Sequence, residues 1–528
     1  MLSAISVLIA VALVPANPQR VRADGGSSSH VDRPRTADFN GDGLSDLVIV
    51  ESDDDVDDER DLGALHVLYG SRAGLTTEGH QRLINADFAR SGDRRPSIRI
   101  GGTLAVGDFD GDEFSDLAIG DPAARVGSLS EAGAVGVVYG SPGGLDPTRT
   151  QRWTQASPGV VGRAERYDSF GWSLAAGDFG RGPQDDLAIN VWSEGIGDIK
   201  ESGAVNVLYG SSEGLSGEGS QMWFGDSPGV PGQREEFEQF GTALAAGRFS
   251  GGTYADLAIG IPSRRVNAAD VAGAVLVLRG SAAGLTAWGS RLWTQNTSGV
   301  PGKAESGDAF GSPLTVGRFA GRSYDDLAVA APEETIGGHE HAGAVNVLYG
   351  SPTGLTAVGS QIWHQGSPGV VGKVEGEDYW GAALTAANFG RDVRGRTYDD
   401  LVIGDPEESH SGISRVGVVH VLYGSARGLT SAGAQRLERG IDGLPDRPGK
   451  GVLFGEHLTA ADFGRPSRHA DLVVAGQVES DSEPNGSVQI LHGGNDGVST
   501  TDSQFLTADQ LGGGNRGSQF GAGLAARS

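Results

Sequence analysis

The amino-acid sequence predicts an all-β chain folded as a seven-bladed β-propeller with four-stranded blades. First, an Asp-Leu pair heading an apolar run recurs at Asp46, Asp116, Asp186, Asp256, Asp326, Asp400 and Asp471, at intervals of 70, 70, 70, 70, 74 and 71 residues. Second, each period holds four apolar runs bounded by Gly or Pro, all too short for ordinary helices and partly β-branched or aromatic, so they read as strands. Third, the ends complement each other. The last apolar element, Phe520 to Ala526, has no acidic loop after it, and the first acidic loop, at Asp38, has no such element before it. The N- and C-terminal segments are therefore expected to pair and close the ring, which removes long open sheet edges.

The elements of one period are clearest in the third. Phe170-Gly171-Trp172-Ser173-Leu174-Ala175-Ala176 leads into Gly177-Asp178-Phe179, a short loop and Asp186-Leu187-Ala188-Ile189. A variable loop follows, then Gly203 to Gly210, a turn at Ser211 to Gly214, the run Ser220-Gln221-Met222-Trp223, and a loop at Ser227-Pro228-Gly229-Val230-Pro231-Gly232. Gly is abundant, at 87 of 528 residues, but it stands at fixed repeat positions beside apolar runs and so reads as turn chemistry.

The formal net charge of −27 argues against a nucleic-acid partner and favours cations or basic partners. Cysteine is absent, which excludes disulfides, thiolate metal sites and cysteine nucleophiles. Residues 1–23 read as a signal peptide: Leu2 to Val14 is apolar but too short to span a bilayer, and Ala16 or Ala23 would suit cleavage, although a basic start is missing. Residues 24–35 are a flexible linker, and 36–528 the propeller. No other segment is long enough for a transmembrane helix, so the expectation is a secreted monomer.

The combination Phe-Gly, Leu-Ala, Gly-Asp-Phe, Asp-Leu-Ala-Ile-Gly and a closing Pro resembles the FG-GAP repeat, with Gly120-Asp121-Pro122, Gly260-Ile261-Pro262, Ala330-Ala331-Pro332 and Gly404-Asp405-Pro406 as its "GAP" echo. That repeat builds the seven-bladed propeller of integrin α-subunit heads and of related bacterial secreted proteins. The resemblance covers about residues 36 to 528; blade 3 departs from it at Asn190-Val191-Trp192, and blades 1 and 7 lack the Pro. Integrin heads bind ligands together with a β-subunit domain absent here, so integrin function does not carry over.

Two acidic loops are candidate Ca²⁺ sites. Asp38, Asn40, Asp42 and Asp46 occupy loop positions 1, 3, 5 and 9, and Asp108, Asp110, Asp112 and Asp116 repeat the pattern. A hard cation wants six to eight oxygens, and alternate positions of a tight loop can converge on one point. The family's calcium loop has this spacing and adds a backbone carbonyl at position 7, which here is Leu44 or Phe114. Gly43 at position 6 eases the bend; Glu113 does not. The bland reading is a turn that binds nothing. The other five loops have lost ligands: Gly180 and Gly182 follow Asp178, Arg248 and Arg318 hold position 1, Arg322 holds position 5, and Asp462 meets Arg465 and Arg468. There a guanidinium beside the closing aspartate is expected to replace a cation.

Trp153, Trp223, Trp293 and Trp363 recur on the fourth strand and read as packing between blades. His339-Glu340-His341 lacks an identifiable third ligand and reads as a solvated loop. The run Glu51 to Asp61 also reads as a solvated loop, and Asn296 and Asn485 match the glycosylation acceptor pattern. No nucleophile elbow, phosphate loop or dinucleotide fingerprint is present.

Connections in an up-and-down blade alternate between its two faces. The acidic loops and the Tyr-Gly-Ser hairpins (Tyr139, Tyr209, Tyr349, Tyr423) should share one face. The variable and Pro-Gly-Val loops should share the other, with Trp192, Glu194, Glu333, Glu334, His339, Glu407, Glu408, Glu165, Glu235, Glu305 and Glu375. Variable loops on a rigid scaffold are where recognition evolves. The expected function is a secreted, calcium-stabilised, non-catalytic propeller that binds protein or glycan, in a role such as cell-surface adhesion. The alternative is an extracellular polysaccharide lyase or hydrolase.

Overall fold

A computed structural model describes residues 37–526 apart from 53–62, 85–86, 88–99, 101, 393–395, 411, 441–443, 445–450, 466–468, 477–485 and 514–518. The expected signal peptide and linker, most of the acidic run after Glu51, Arg468 and Asn485 lie outside the described residues.

The described chain is seven four-stranded antiparallel sheets. Blade 1 contains β1 (Leu47–Ser52), β2 (Ala64–Tyr69) and β3 (Thr76–Ile84), and blade 2 contains β4 (Thr103–Gly107), β5 (Asp116–Asp121), β6 (Ala134–Tyr139) and β7 (Asp146–Trp153). Blade 3 is β8 (Phe170–Gly177), β9 (Asp186–Val191), β10 (Ala204–Ser211) and β11 (Gly214–Trp223). Blade 4 is β12 (Leu244–Gly247), β13 (Asp256–Ile261), β14 (Ala274–Arg279) and β15 (Thr286–Trp293). Blade 5 is β16 (Leu314–Gly317), β17 (Asp326–Ala331), β18 (Ala344–Tyr349) and β19 (Thr356–Trp363). Blade 6 is β20 (Ala383–Ala387), β21 (Asp400–Asp405), β22 (Val418–Tyr423) and β23 (Thr430–Leu437). Blade 7 is β24 (His457–Ala461), β25 (Asp471–Gly476), β26 (Ser487–Gly494) and β27 (Gly497–Leu506).

The last strand, β28 (Gln519–Ala525), completes blade 1 by pairing with β1, with Val48 opposite Ala525 and Ile49 opposite Leu524. The ring therefore closes by the expected pairing of the two ends. A register shift between Val50 and Glu51 marks a bulge in that seam, and Glu51 beside it is buried against His66, 2.9 Å away.

The Asp-Leu strands β5, β9, β13, β17, β21 and β25 are buried at every residue, whereas the outer strands β7, β15, β19 and β23 are mostly half-buried or exposed. A strand packed on both sides by neighbouring blades cannot alternate, which is why the Asp-Leu runs read as continuous apolar segments. Phe170, Phe240, Phe310, Trp380, Phe454 and Phe520 of the Phe-Gly element lie in these inter-blade cores, as do Phe39, Phe109, Phe179, Phe249, Phe319, Phe389 and Phe463 of the acidic loops. Trp293 is fully buried, and Trp153, Trp223 and Trp363 are partly buried against the same cores, in keeping with packing.

Neighbouring blades are also tied by a clamp that sequence reading missed. Tyr139 Oη donates to Gln151 Oε1 (2.6 Å) within blade 2, accepts from Leu215 N of blade 3 (3.0 Å), and Gln151 Nε2 returns to Leu215 O (3.2 Å). Tyr209, Gln221 and Leu285 repeat it one blade on. Gly214 adopts a φ of +95°, and a Cβ there would overlap the Tyr139 hydroxyl, so only glycine lets the hairpin approach. The signal was available: Tyr and Gln stand twelve residues apart at Tyr69/Gln81, Tyr139/Gln151, Tyr209/Gln221, Tyr349/Gln361 and Tyr423/Gln435.

Candidate cation-binding loops and the opposite face

The acidic loop of blades 2 to 7 joins the first strand to the Asp-Leu strand, and in blade 1, whose first strand is β28, it precedes β1. The closing aspartate has the same job in blades 1, 2, 3, 5 and 6. Its two carboxylate oxygens accept from an amide in its own loop and from a glycine amide in the Tyr-Gly hairpin. Asp46 takes Phe39 N (2.8 Å) and Gly70 N (3.0 Å), and Asp116 takes Phe109 N (2.7 Å) and Gly140 N (2.9 Å). Asp186 takes Phe179 N and Gly210 N, and Asp400 takes Phe389 N and Gly424 N, with the same geometry. Position 1 reaches the next blade: Ser115 N donates to Asp38 O (2.8 Å), and Asp185 N to Asp108 O (2.9 Å). The loops are thereby braced against one another around this face.

In the first loop Asp38 accepts from Asp42 N (3.0 Å) and Gly43 N (2.7 Å), Asn40 Oδ1 from Asp42 N (3.0 Å), and Asp42 Oδ1 from Leu44 N (2.9 Å). None of Asp38, Asp42 and Asp46 forms an ion pair with a described residue. In the second loop, one carboxylate oxygen from each of Asp108, Asp110 and Asp116 lies within 4.8 Å of the others. Asp112 stands apart: its Oδ1 accepts from Phe114 N (3.1 Å), and its Oδ2 is 3.3 Å from Arg149. Glu113 takes the left-handed turn at position 6 with a φ of +77°, as Gly43 does at +85°.

Sequence reading missed Arg149. This residue of β7 places its guanidinium 2.6 Å from Asp110 Oδ2 and donates to Gly140 O (3.2 Å). The corresponding position of blade 1 is Gly79, so the first loop has no such partner. The guanidinium also lies over the Tyr139 ring at 5.4 Å, a place that Arg181, Arg322 and Arg391 take over Tyr209, Tyr349 and Tyr423 from their own loops.

The degenerate loops follow the expected substitution in blade 5, whereas blades 4 and 7 correct it. The guanidinium 3.4 Å from Asp256 is that of Arg279, which replaces the hairpin tyrosine at the end of β14, and not Arg248. In blade 5, Arg318 Nε pairs with Asp325 Oδ1 (2.9 Å), and Arg322 supplies positive field to Asp326. In blade 7, His492 Nδ1 lies 3.1 Å from Asp471 Oδ1.

Electrostatics separate the loops. Burial pushes Asp46 up to about 8, with Asp38 and Asp42 adding to the rise, and holds Asp116 well above the carboxylate range. Burial also raises Asp256, but Arg279 limits it to about 6. An all-oxygen donor set with excess negative charge fits a hard cation: Asp108, Asp110 and Asp116 already converge, while Asp112 and, in the first loop, Asp38, Asn40, Asp42 and Asp46 would have to draw in to hold it.

The opposite face corrects one expectation. Glu194, Glu334 and Glu408 are not a recognition surface: each is buried and accepts the side-chain amide of Gln155, Gln295 or Gln365 across a blade junction (2.6, 2.5 and 3.1 Å). Burial raises Glu194 and Glu334 to about 7. The loops of this face keep other charged residues exposed, among them Glu165 and Glu305, and expose apolar side chains beside them. Tyr167 and Phe237 occupy the same repeat position, are 53% and 52% exposed, and are held at φ of +71° and +62°. Val161, Val271 and Val371 are exposed on the same side. His341 stacks on Tyr379 at 5.4 Å, and no metal cluster containing a histidine is found among the described residues.

No protein-family model matches the chain. It is 32% identical over 178 residues to phosphatidylinositol-glycan-specific phospholipase D of Mus musculus, covering 33% of this chain and 20% of that protein. It is 33% identical over 177 residues to integrin alpha-PS2 of Drosophila melanogaster, covering 32% of this chain and 12% of that protein, and similarly related to integrin alpha-PS5 over 158 residues. These matches thus span a fifth or less of the relatives' own length. No helix among the described residues is long and apolar enough to cross a membrane. Repeat motifs, seven closed blades and these similarities agree, and the chain is a propeller of the FG-GAP repeat type.

Proposed function

We propose that the chain is a secreted, non-catalytic propeller, stabilised by Ca²⁺ in the first two acidic loops, that binds a protein or glycan through its variable-loop face in a cell-surface adhesion role. The observation that carries the binding reading is the display of Tyr167 and Phe237 at half exposure in left-handed turns. The same repeat position holds Gly307 (φ +95°) and Glu377 (φ +65°), so the left-handed turn belongs to the fold, and what Tyr167 and Phe237 add to it is an exposed aromatic ring. Exposed aromatic anchors on rigid loops are the usual centres of recognition. The Ca²⁺ reading rests on the oxygen spacing and charge of the loops; the ion's part is to neutralise carboxylates and fix the loops, with no chemical step assigned to it.

The test is binding of the full chain to a glycan array and to intact cells, with and without chelator, beside a Tyr167→Ser/Phe237→Ser variant. The reading expects saturable binding that the double variant loses while its melting temperature is kept. Cleavage of a polysaccharide or a phosphodiester by the chain, abolished by substitutions in the central channel, would establish the enzymatic alternative instead.

A further inference from the structure

Asp378, Asp405 and Glu408 meet at the junction of blades 5 and 6, on the face opposite the acidic loops. Asp405 ends β21, Glu408 lies in the loop after it, and Asp378 lies in the loop between β19 and β20. One carboxylate oxygen from each is within 4.8 Å of the other two. The residues are 4%, 0% and 6% exposed. Gln365, 3% exposed, donates its Nε2 to Asp405 Oδ2 (2.6 Å) and Glu408 Oε2 (3.1 Å), so its amide is seated among the carboxylates.

Asp405 Oδ1 is buried with no hydrogen-bond partner; Gln365 Oε1 also lacks one, as Gln155 Oε1 and Gln295 Oε1 do at the sister junctions. Orphaned oxygens on groups fully removed from water are costly and call for a donor or a cation. The positive charge at hand is small. Arg436 reaches Glu408 Oε1 (3.1 Å) but is shared with Glu438. Asp378 Oδ2 accepts only a backbone amide, Glu375 N (2.9 Å).

The sister junctions show what is added here. Gln155 with Glu194, and Gln295 with Glu334, repeat the amide–carboxylate pair, and Asp168 and Asp308 repeat Asp378. Where blade 6 has Asp405, however, blades 3, 4 and 5 have Val191, Ile261 and Ala331, and of blades 2 to 5 only blade 2 also has an aspartate, Asp121. The third carboxylate has been inserted into a packing position. A buried charge at such a place is retained only when it is paired or holds a metal. We propose that Asp378, Asp405, Glu408 and the side-chain oxygen of Gln365 bind a hard divalent cation that pins blade 5 to blade 6. The all-oxygen donor set selects Ca²⁺, Mg²⁺ or Mn²⁺ over softer ions.

The test is equilibrium dialysis of the chelator-stripped full chain against Ca²⁺, Mg²⁺ and Mn²⁺, each alone. Asp405→Asn is expected to bind one ion fewer than the parent, and to lose the part of the cation-induced rise in melting temperature that the parent shows. An Asp42→Ala/Asp112→Ala variant, which disables the acidic loops, is expected to keep this ion, and adding Asp405→Asn to it removes the ion. The loop reading can therefore fail without touching this one. If Asp405→Asn does not fold, Glu408→Gln is read in the same way. Equal ion counts for parent and variants with all three cations would overturn the site and leave a cluster neutralised by protons.

Discussion

The acidic loop of blade 1 and that of blade 5 hold their closing aspartate in the same way and differ in what balances the charge. In both, the closing aspartate accepts one amide from its own loop and one from the hairpin glycine: Phe39 N and Gly70 N for Asp46, Ala320 N and Gly350 N for Asp326. In blade 5, Arg318 and Arg322 bring positive charge to Asp325 and Asp326; in blade 1, Asp38 and Asp42 add negative charge to Asp46. The repeated Asp-Leu aspartate is thus a structural brace in both loops, with or without ligand residues before it. Only the residues before it distinguish a cation site from a salt-bridged turn.

The largest effect that could break this comparison is Asp326→Ala. It leaves two buried amides without an acceptor, an expected loss of about 2–4 kcal/mol in stability. The response to calcium should be unchanged, because no ligand of the first two loops is touched; chemical denaturation with and without calcium reads both quantities. Asp42→Ala is the converse. It should cost little in chelator-stripped protein and remove one site's share of calcium stabilisation, which is about 2.7 kcal/mol at 100 times the dissociation constant. A calcium response unaffected by Asp42→Ala but lost in Asp326→Ala would reverse the assignment of roles.

Arg149→Ala sharpens the contrast between the two intact loops. Its guanidinium is half exposed and pairs with Asp110 and Asp112, so removing it should tighten calcium at the second loop by about 1 kcal/mol or less, with no effect at the first. Titration calorimetry that finds the second site weakened would make Arg149 a support of the loop and not a competitor. The opposite face supplies a pH counterpart. Glu334 is raised to about 7 by burial, so its folded form holds a proton that the unfolded chain has lost. Its contribution is full below the unfolded value, near 4.5, and is lost as pH rises through about 7. Glu334→Gln should flatten the fall in stability over that window, and an unchanged slope in denaturant melts would contradict the buried pair. The smallest effect is expected for Glu113→Gly, which relieves a left-handed turn at some cost in unfolded-chain entropy, for a net gain of about 1 kcal/mol or less.

Much of this was legible in the sequence because the repeat is nearly constant. A spacing of 70 residues fixed the blade count, and the leftover Phe520 element fixed how the ring closes. What escaped was information carried across blades. Arg149 lies on a strand read only as packing, and its partners are 39 and 37 positions away. Glu194, Glu334 and Glu408 read as surface acids because nothing local shows that a glutamine from the preceding blade covers them. Tyr167 and Phe237 sit among charged neighbours in loops, where composition alone suggests a solvated turn.

The most direct test of the cation account is calorimetric titration of calcium into chelator-stripped full-length protein, beside the Asp42→Ala/Asp112→Ala variant. The account predicts that the variant, still folded, binds two ions fewer than the parent. The same number of ions in both, or no binding to well-folded parent, would contradict it and leave the acidic loops as turns.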